Sequence, residues 1–185
     1  MNIYIILGVL SILIVFRQFK SNFILYSLGT LPATFFHELT HFIVSLFTNG
    51  RPVSFTILPK RIENDKGTFY ELGSVGSANI RWYNSMFIGL SPFLLWVGAY
   101  LLYISIEGET FSTINIIKIV TIAMFIEGGL PSIPDFKIAF SKSYVFFIIL
   151  GSTILLYPDI FPIILDKITI LYETSRGYFQ WKKFF

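Results

Sequence analysis

The sequence predicts an all-α polytopic membrane protein, with about five transmembrane segments and a small membrane-associated β-hairpin region between the second and third. Three features predict it. Hydrophobic residues make up 54% of the chain and charged residues only 14%, where a soluble domain carries roughly 25% charge. That leaves too little polar material to cover a water-facing surface, and the mean hydropathy of +0.69 agrees. The apolar residues are gathered in blocks, and a helix needs about 20 such residues to cross a bilayer. One insert between blocks follows a different, alternating pattern. Residues 1–185 are therefore expected to form a single membrane-embedded domain.

The first apolar segment, residues 3–16, is short and closed by the polar run 17–22. It has no basic leader and no small-residue cleavage pattern, so it reads as a membrane segment rather than a signal peptide. Residues 23–47 are long enough to cross with tilt. The insert, residues 48–82, sets short apolar runs (53–58 and 68–72) between turn formers such as Asn49-Gly50 and Lys66-Gly67. This is a strand-and-turn pattern. Its small-residue run 73–78 reads in two ways, as a backbone that approaches another segment or a substrate strand closely or as a flexible loop. The third and fourth segments are residues 83–106 and 111–130, the latter running into Pro131, Pro134 and Asp135. The fifth, residues 144–165, is interrupted by Pro158 and Pro162. The tail, residues 166–185, mixes aromatics with Arg176, Lys182 and Lys183, as an interfacial segment does.

The chain has no cysteine, which removes disulfides, thiolate catalysis and cysteine-ligated zinc together. The formal charge is +3. Its basic residues are scattered through short loops, so they read as charges flanking membrane segments, not as a stripe for nucleic acid. Lys and Arg nearly balance between alternate loops, so the positive-inside rule gives no orientation.

Chemistry concentrates in the second segment, which contains His37-Glu38-Leu39-Thr40-His41. On a helix, residues four apart share a face, so both imidazoles can reach one metal ion. Glu38 is turned about 100° from His37, beside the metal, where it can handle a water. These are the only histidines in the chain. Ser27, Thr30, Thr34, His37, His41, Ser45 and Thr48 recur at spacings of three and four, which puts them on one helical face. A polar cavity explains that stripe; lipid does not. Ionisable residues inside a span are costly and functional by default. Zinc centres of the catalytic type use three protein ligands and keep a fourth position for water. With no further His and no Cys, the third ligand is a carboxylate, from Glu107, Glu109, Glu127, Asp135 and Asp159. Asp135 stands out because Pro131 and Pro134 interrupt the helix beside it; the other roles open to it are those of a solvated loop aspartate or a helix cap.

These residues resemble the site-2 protease family of membrane-embedded zinc metalloproteases. That family joins HExxH on one transmembrane helix to an Asp ligand in an N-x-x-P-x-P-x-L-D-G motif on a later one. Here Glu127 and Asp135 are eight apart with Pro131 and Pro134 between them. Glu127 stands in place of the Asn, Pro134 in place of the Leu and Phe136 in place of the Gly. The β-rich loop after the HExxH helix is similar to the family's, and Ser91-Pro92 is a loose counterpart of a Gly-Pro pair on its next helix. The resemblance covers residues 23–142. It implies His37, His41 and Asp135 as ligands of Zn2+, Glu38 as catalytic base, and Glu127 as a residue that contacts substrate or supports the site. It further implies hydrolysis of peptide bonds in a transmembrane segment of another protein, in the cell membrane, with the lipid bilayer as surroundings and the site toward the cytoplasmic side. Two other classes of protein fit parts of the pattern. A catalytically inactive relative acting as a membrane chaperone would keep the fold with an altered second motif. A metal transporter would use the histidines but has no need of Glu38.

Overall fold

The computed structural model describes residues 3–19, 22–64, 67–106, 112–157, 159, 162–163, 166–167 and 169–170. Glu107 and Glu109, two of the candidate ligands, lie outside these residues, as do Pro158 and residues 171–185 of the expected tail. The chain is mostly helical and divides into two compact units, residues 1–143 and 144–185.

In the first unit, α1 (Ile3–Gln18) packs against α5 (Thr113–Gly128). Ile5 and Val9 meet Ile119, Ile122 and Ala123, and Ala99 of α4 (Leu94–Ile104) completes this small core. A Cβ placed on Gly8 would sit 3.3 Å from Ile119 Cγ2, so the two helices pack closely there. The helix that carries the histidines is α2 (Phe23–Phe47), started by Asn22, whose side chain accepts from the Leu25 amide. At 25 residues it is about 37 Å long at 1.5 Å per residue. Pro32 lies inside it and cannot donate to the carbonyl one turn earlier.

The insert folds into two antiparallel ribbons. β1 (Pro52–Thr56) pairs with β4 (Ser74–Ser77), and β2 (Lys60–Asn64) pairs with β3 (Gly67–Glu71). The strand-and-turn reading of residues 48–82 thus agrees with the fold. A register shift between Pro52 and Ser54 marks a bulge in the first ribbon. That ribbon is fastened to α2 at two places. Phe55 of β1 meets the rings of Phe35 and Phe42, two helical turns apart, at centroid distances of 6.1 and 5.9 Å. Ser45 and Ser77 hydroxyls are 2.7 Å apart, the former fully buried.

Residues 83–106, expected as one segment, are broken. A short helix, α3 (Ser85–Gly89), gives way to a 3-10 turn at Ser91–Phe93 before α4 begins. The physical reason is Pro92, which has no N–H to continue the helix ladder. The fourth segment forms α5 and then breaks at Gly129–Ser132, so that α6 (Ile133–Ser141) leaves at 58° to α5. A Cβ on Gly89 would fall 2.5 Å from the Asp135 carbonyl oxygen, so α3 and α6 touch backbone to backbone. Among the described residues no single helix is long and apolar enough to cross a membrane; α5 and α6 together pass that test as a bent pair. In the second unit α7 (Tyr144–Leu156) forms and stops one residue before Tyr157-Pro158.

Asn84 is fully buried at the junction of insert and helices. Its amide donates to the Thr48 and Asn79 carbonyls at 3.1 and 2.9 Å, and its oxygen accepts from the Arg81 amide at 2.7 Å. Replacing it by alanine strands all three partners, each at a cost of about 1 kcal/mol. Asn84→Ala is therefore expected to destabilise the protein by about 3 kcal/mol, read from thermal or denaturant unfolding in detergent. A change within about 0.5 kcal/mol would mean that these bonds do not hold the junction.

Candidate metal centre

Three elements deliver the centre, and each is held by a local peculiarity of sequence. His37 and His41 project from one face of α2 with ring centroids 4.9 Å apart. The Nδ1 of His37 lies 2.7 Å from the carbonyl of Gly128, the last residue of α5. Glycine is needed there: a Cβ would stand 2.5 Å from the Ala33 carbonyl oxygen of α2. The helices therefore close up at Gly128, and its carbonyl reaches the imidazole. The Nδ1 of His41 lies 2.8 Å from the Ile88 carbonyl and 2.9 Å from the Ser91 hydroxyl. Four residues after Ile88 comes Pro92, whose missing N–H leaves that carbonyl free for side chains. Ser91 also donates to it at 2.8 Å.

The third element is the start of α6. Ser132 caps it and Asp135 occupies its third position, in a reciprocal capping box. This buried carboxylate lies 3.2 Å from His37 Nε2 through Oδ2 and 3.1 Å from His41 Nε2 through Oδ1. The two Nε2 atoms are 3.2 Å apart. His37, His41 and Asp135 can hold a metal ion; each offers one ligand atom, all within 4.8 Å of one another.

The donor chemistry fits such an ion. A carbonyl only accepts, so the imidazole nitrogen facing Gly128 or Ile88 must carry the proton. In the neutral imidazoles both Nε2 atoms then present lone pairs, and they converge on each other and on a carboxylate. Three acceptors in contact repel unless a cation lies between them. A backbone carbonyl on the far nitrogen is also the usual way a metal-ligating histidine is oriented.

Glu38 is buried beside this cluster but outside it. Gly73, just before β4, packs on it so closely that a Cβ would meet Glu38 Cγ at 2.8 Å. A cavity of about 690 Å³ opens onto the centre, lined by Thr34, His37, Glu38, Gly73, Glu127 and Asp135 among others. Glu127 therefore faces the same space without joining the ligand cluster, and Asp159 belongs to the second unit. The polar stripe of α2 divides in role. Thr30, Thr34, His37 and His41 line the cavity, whereas Ser45 bonds to the insert. Sequence reasoning gave no role to Ser132, Gly128 or the Ile88 carbonyl. The first had a signal, since Ser three residues before Asp marks a capping box. The other two had none, because a backbone carbonyl has no sequence signature.

The protein purified in detergent is expected to bind a single divalent ion per chain, measured by metal analysis after dialysis. The His37→Ala, His41→Ala double substitution should abolish binding. Asp135→Ala should weaken it by roughly a hundredfold or more, beyond the loss typical of an orienting partner, while Glu127→Gln should leave it in place. The reverse ranking of the last two would assign the third ligand to Glu127.

Compared with protein-family models, with curated proteins and with solved structures, the chain matches none. What the centre does is therefore argued from its own geometry: two oriented imidazoles, one capped carboxylate, and a further carboxylate poised over an open cavity.

Proposed function

We propose that this chain is a zinc-dependent intramembrane protease that hydrolyses peptide bonds in transmembrane segments of other membrane proteins, as the site-2 protease resemblance implies. The observation that carries it is the placement of Glu38: buried on the cavity wall next to the His37, His41 and Asp135 cluster and free of it. A storage or transport site has no use for a second carboxylate in that position; hydrolysis requires one.

Zinc, when bound, supplies the Lewis-acid chemistry that makes water nucleophilic at neutral pH and polarises a peptide carbonyl. The choice of zinc is supported by two nitrogen ligands and one carboxylate, the set used at open catalytic zinc sites. Glu38 takes the proton of the attacking water and passes it to the leaving amine, as general base and then general acid. Gly73 packs against its side chain, where a Cβ would meet Glu38 Cγ at 2.8 Å. The scissile segment must be extended, because a helical peptide bond is hydrogen-bonded and shielded. Strand β4 follows Gly73 along the cavity wall, and among the described residues it pairs only with β1. Its other edge offers main-chain groups to an unwound substrate strand.

The membrane reading is supported by what the helices leave uncovered. Leu7, Leu10 and Ile14 of α1 and Leu94, Val97 and Leu101 of α4 are each about half exposed, while few large apolar side chains are buried. An exterior of that kind suits lipid better than water. The absence of cysteine makes a direct test simple. In reconstituted protein, Thr34→Cys on the cavity wall should react with a small water-soluble thiol reagent. Ile43→Cys, on the exposed outer face of α2, should be shielded by lipid. Equal labelling of the two would count against a hydrated cavity inside a bilayer.

Catalysis is tested by Glu38→Gln, which keeps the shape and cannot act as a base. Cleavage of a fused transmembrane substrate should fall by at least about a hundredfold, with bound metal unchanged. Retained cleavage would rule out Glu38 as the base and end this mechanism.

A further inference from the structure

We propose that Ser132 is a positioning residue for the metal centre: by occupying Oδ2 of Asp135 it leaves Oδ1 as the carboxylate's single ligating oxygen, and so keeps one coordination position open. This rests on the metal-binding role of His37, His41 and Asp135. It does not require that the chain be a protease.

A carboxylate oxygen has two lone-pair sites. On Oδ2 both are taken, by the Ser132 amide at 2.7 Å and the Ser132 hydroxyl at 2.7 Å; His37 Nε2, at 3.2 Å, faces this same oxygen from farther off. The direction of the second bond is fixed from the other side. Ser132 Oγ accepts from the Asp135 amide at 3.3 Å, so its own hydrogen is free to point at the carboxylate. Oδ1 receives no donor from the described residues. Its neighbour is His41 Nε2 at 3.1 Å, a lone-pair atom because the other ring nitrogen faces the Ile88 carbonyl. The two oxygens of one side chain are thus chemically unlike: one is saturated and the other is bare.

The difference decides the coordination number. Two imidazoles and one oxygen make three ligands, and a fourth position stays available for water or substrate. A carboxylate free to use both oxygens would chelate and fill that position. Rotation of the carboxylate about its Cβ–Cγ bond is opposed by the two Ser132 bonds, which it would have to break. The serine also stands at a position where the resembled family's motif has proline, so this way of holding the carboxylate belongs to this chain's own sequence.

The test uses the full-length protein in detergent, stripped of metal and titrated with Co2+, whose visible bands are intense when four-coordinate and weak when five-coordinate. Ser132→Gly is the informative variant. Glycine is nearly as good a helix cap as serine, at a cost of a few tenths of a kcal/mol, so the start of α6 survives while the hydroxyl is removed. Ser132→Thr restores a hydroxyl and serves as the rescue. Wild type and Ser132→Thr should give the intense four-coordinate spectrum. Ser132→Gly should give weaker bands, with Co2+ affinity lowered roughly tenfold. An unchanged spectrum in Ser132→Gly overturns the proposal, and so does a weakened one that threonine fails to restore. Wild-type protein that binds no Co2+ overturns the metal centre and this inference with it. Co2+ binding with the expected spectra but no cleavage of a transmembrane substrate would overturn the protease reading alone.

Discussion

The arrangement on which the rest of the structure depends is the convergence of His37 Nε2, His41 Nε2 and the Asp135 carboxylate: the two nitrogens lie 3.2 Å apart, His37 lies 3.2 Å from Oδ2 and His41 3.1 Å from Oδ1. Burying such groups together is unfavourable unless each is oriented from behind and a cation lies in front. Both orienting contacts for the histidines are backbone carbonyls, Gly128 of α5 and Ile88 of α3. A carbonyl cannot reorient as a side chain can, so tautomer and ring angle are set by where the helices end. The carboxylate is oriented in the same fashion, by the amide and hydroxyl of its own helix cap.

That requirement accounts for the interruptions in the helices. A continuous helix uses every carbonyl in its own ladder, leaving none for a side chain. The break at Ser91-Pro92 frees the Ile88 carbonyl, and the end of α5 at Gly128 frees another. The turn after it starts α6 with a capped carboxylate aimed back at α2. Regular segments would serve a membrane better and the centre worse. The same tension shows in α2, which has the length of a span but whose polar stripe lowers its apolarity, and no single described helix passes as a span. The polar residues responsible are largely those that line the cavity or tie the helix to the insert.

The ribbon β1–β4 completes the centre from the outside. Phe55 wedges between Phe35 and Phe42, and Ser77 grips Ser45, so the strand sits at a fixed height along α2. This brings Gly73 onto Glu38, where the absent side chain makes room for the buried carboxylate on the cavity wall. The small residues at 73–78, ambiguous as sequence, acquire their meaning from that contact.

What the sequence determined by itself was local and periodic. The four-residue spacing of His37 and His41 places them on one face because α-helical rotation is a property of the backbone. The strand-and-turn pattern of residues 48–82 and the helix break beside Pro131 and Pro134 were legible for the same reason: they follow from chain stereochemistry within a few residues. The identity of the third cluster member was not legible in that way. Asp135 is 98 residues from His37; its prolines and the family resemblance singled it out among five carboxylates, but only packing could bring it to the imidazoles. Nor could the sequence alone reveal that 83–106 splits so as to release a carbonyl, or that Gly128 lets α5 close on α2. Those facts belong to the tertiary structure, because the direction of a carbonyl and the distance between helices are set by where two surfaces interlock, which no short stretch of residues specifies.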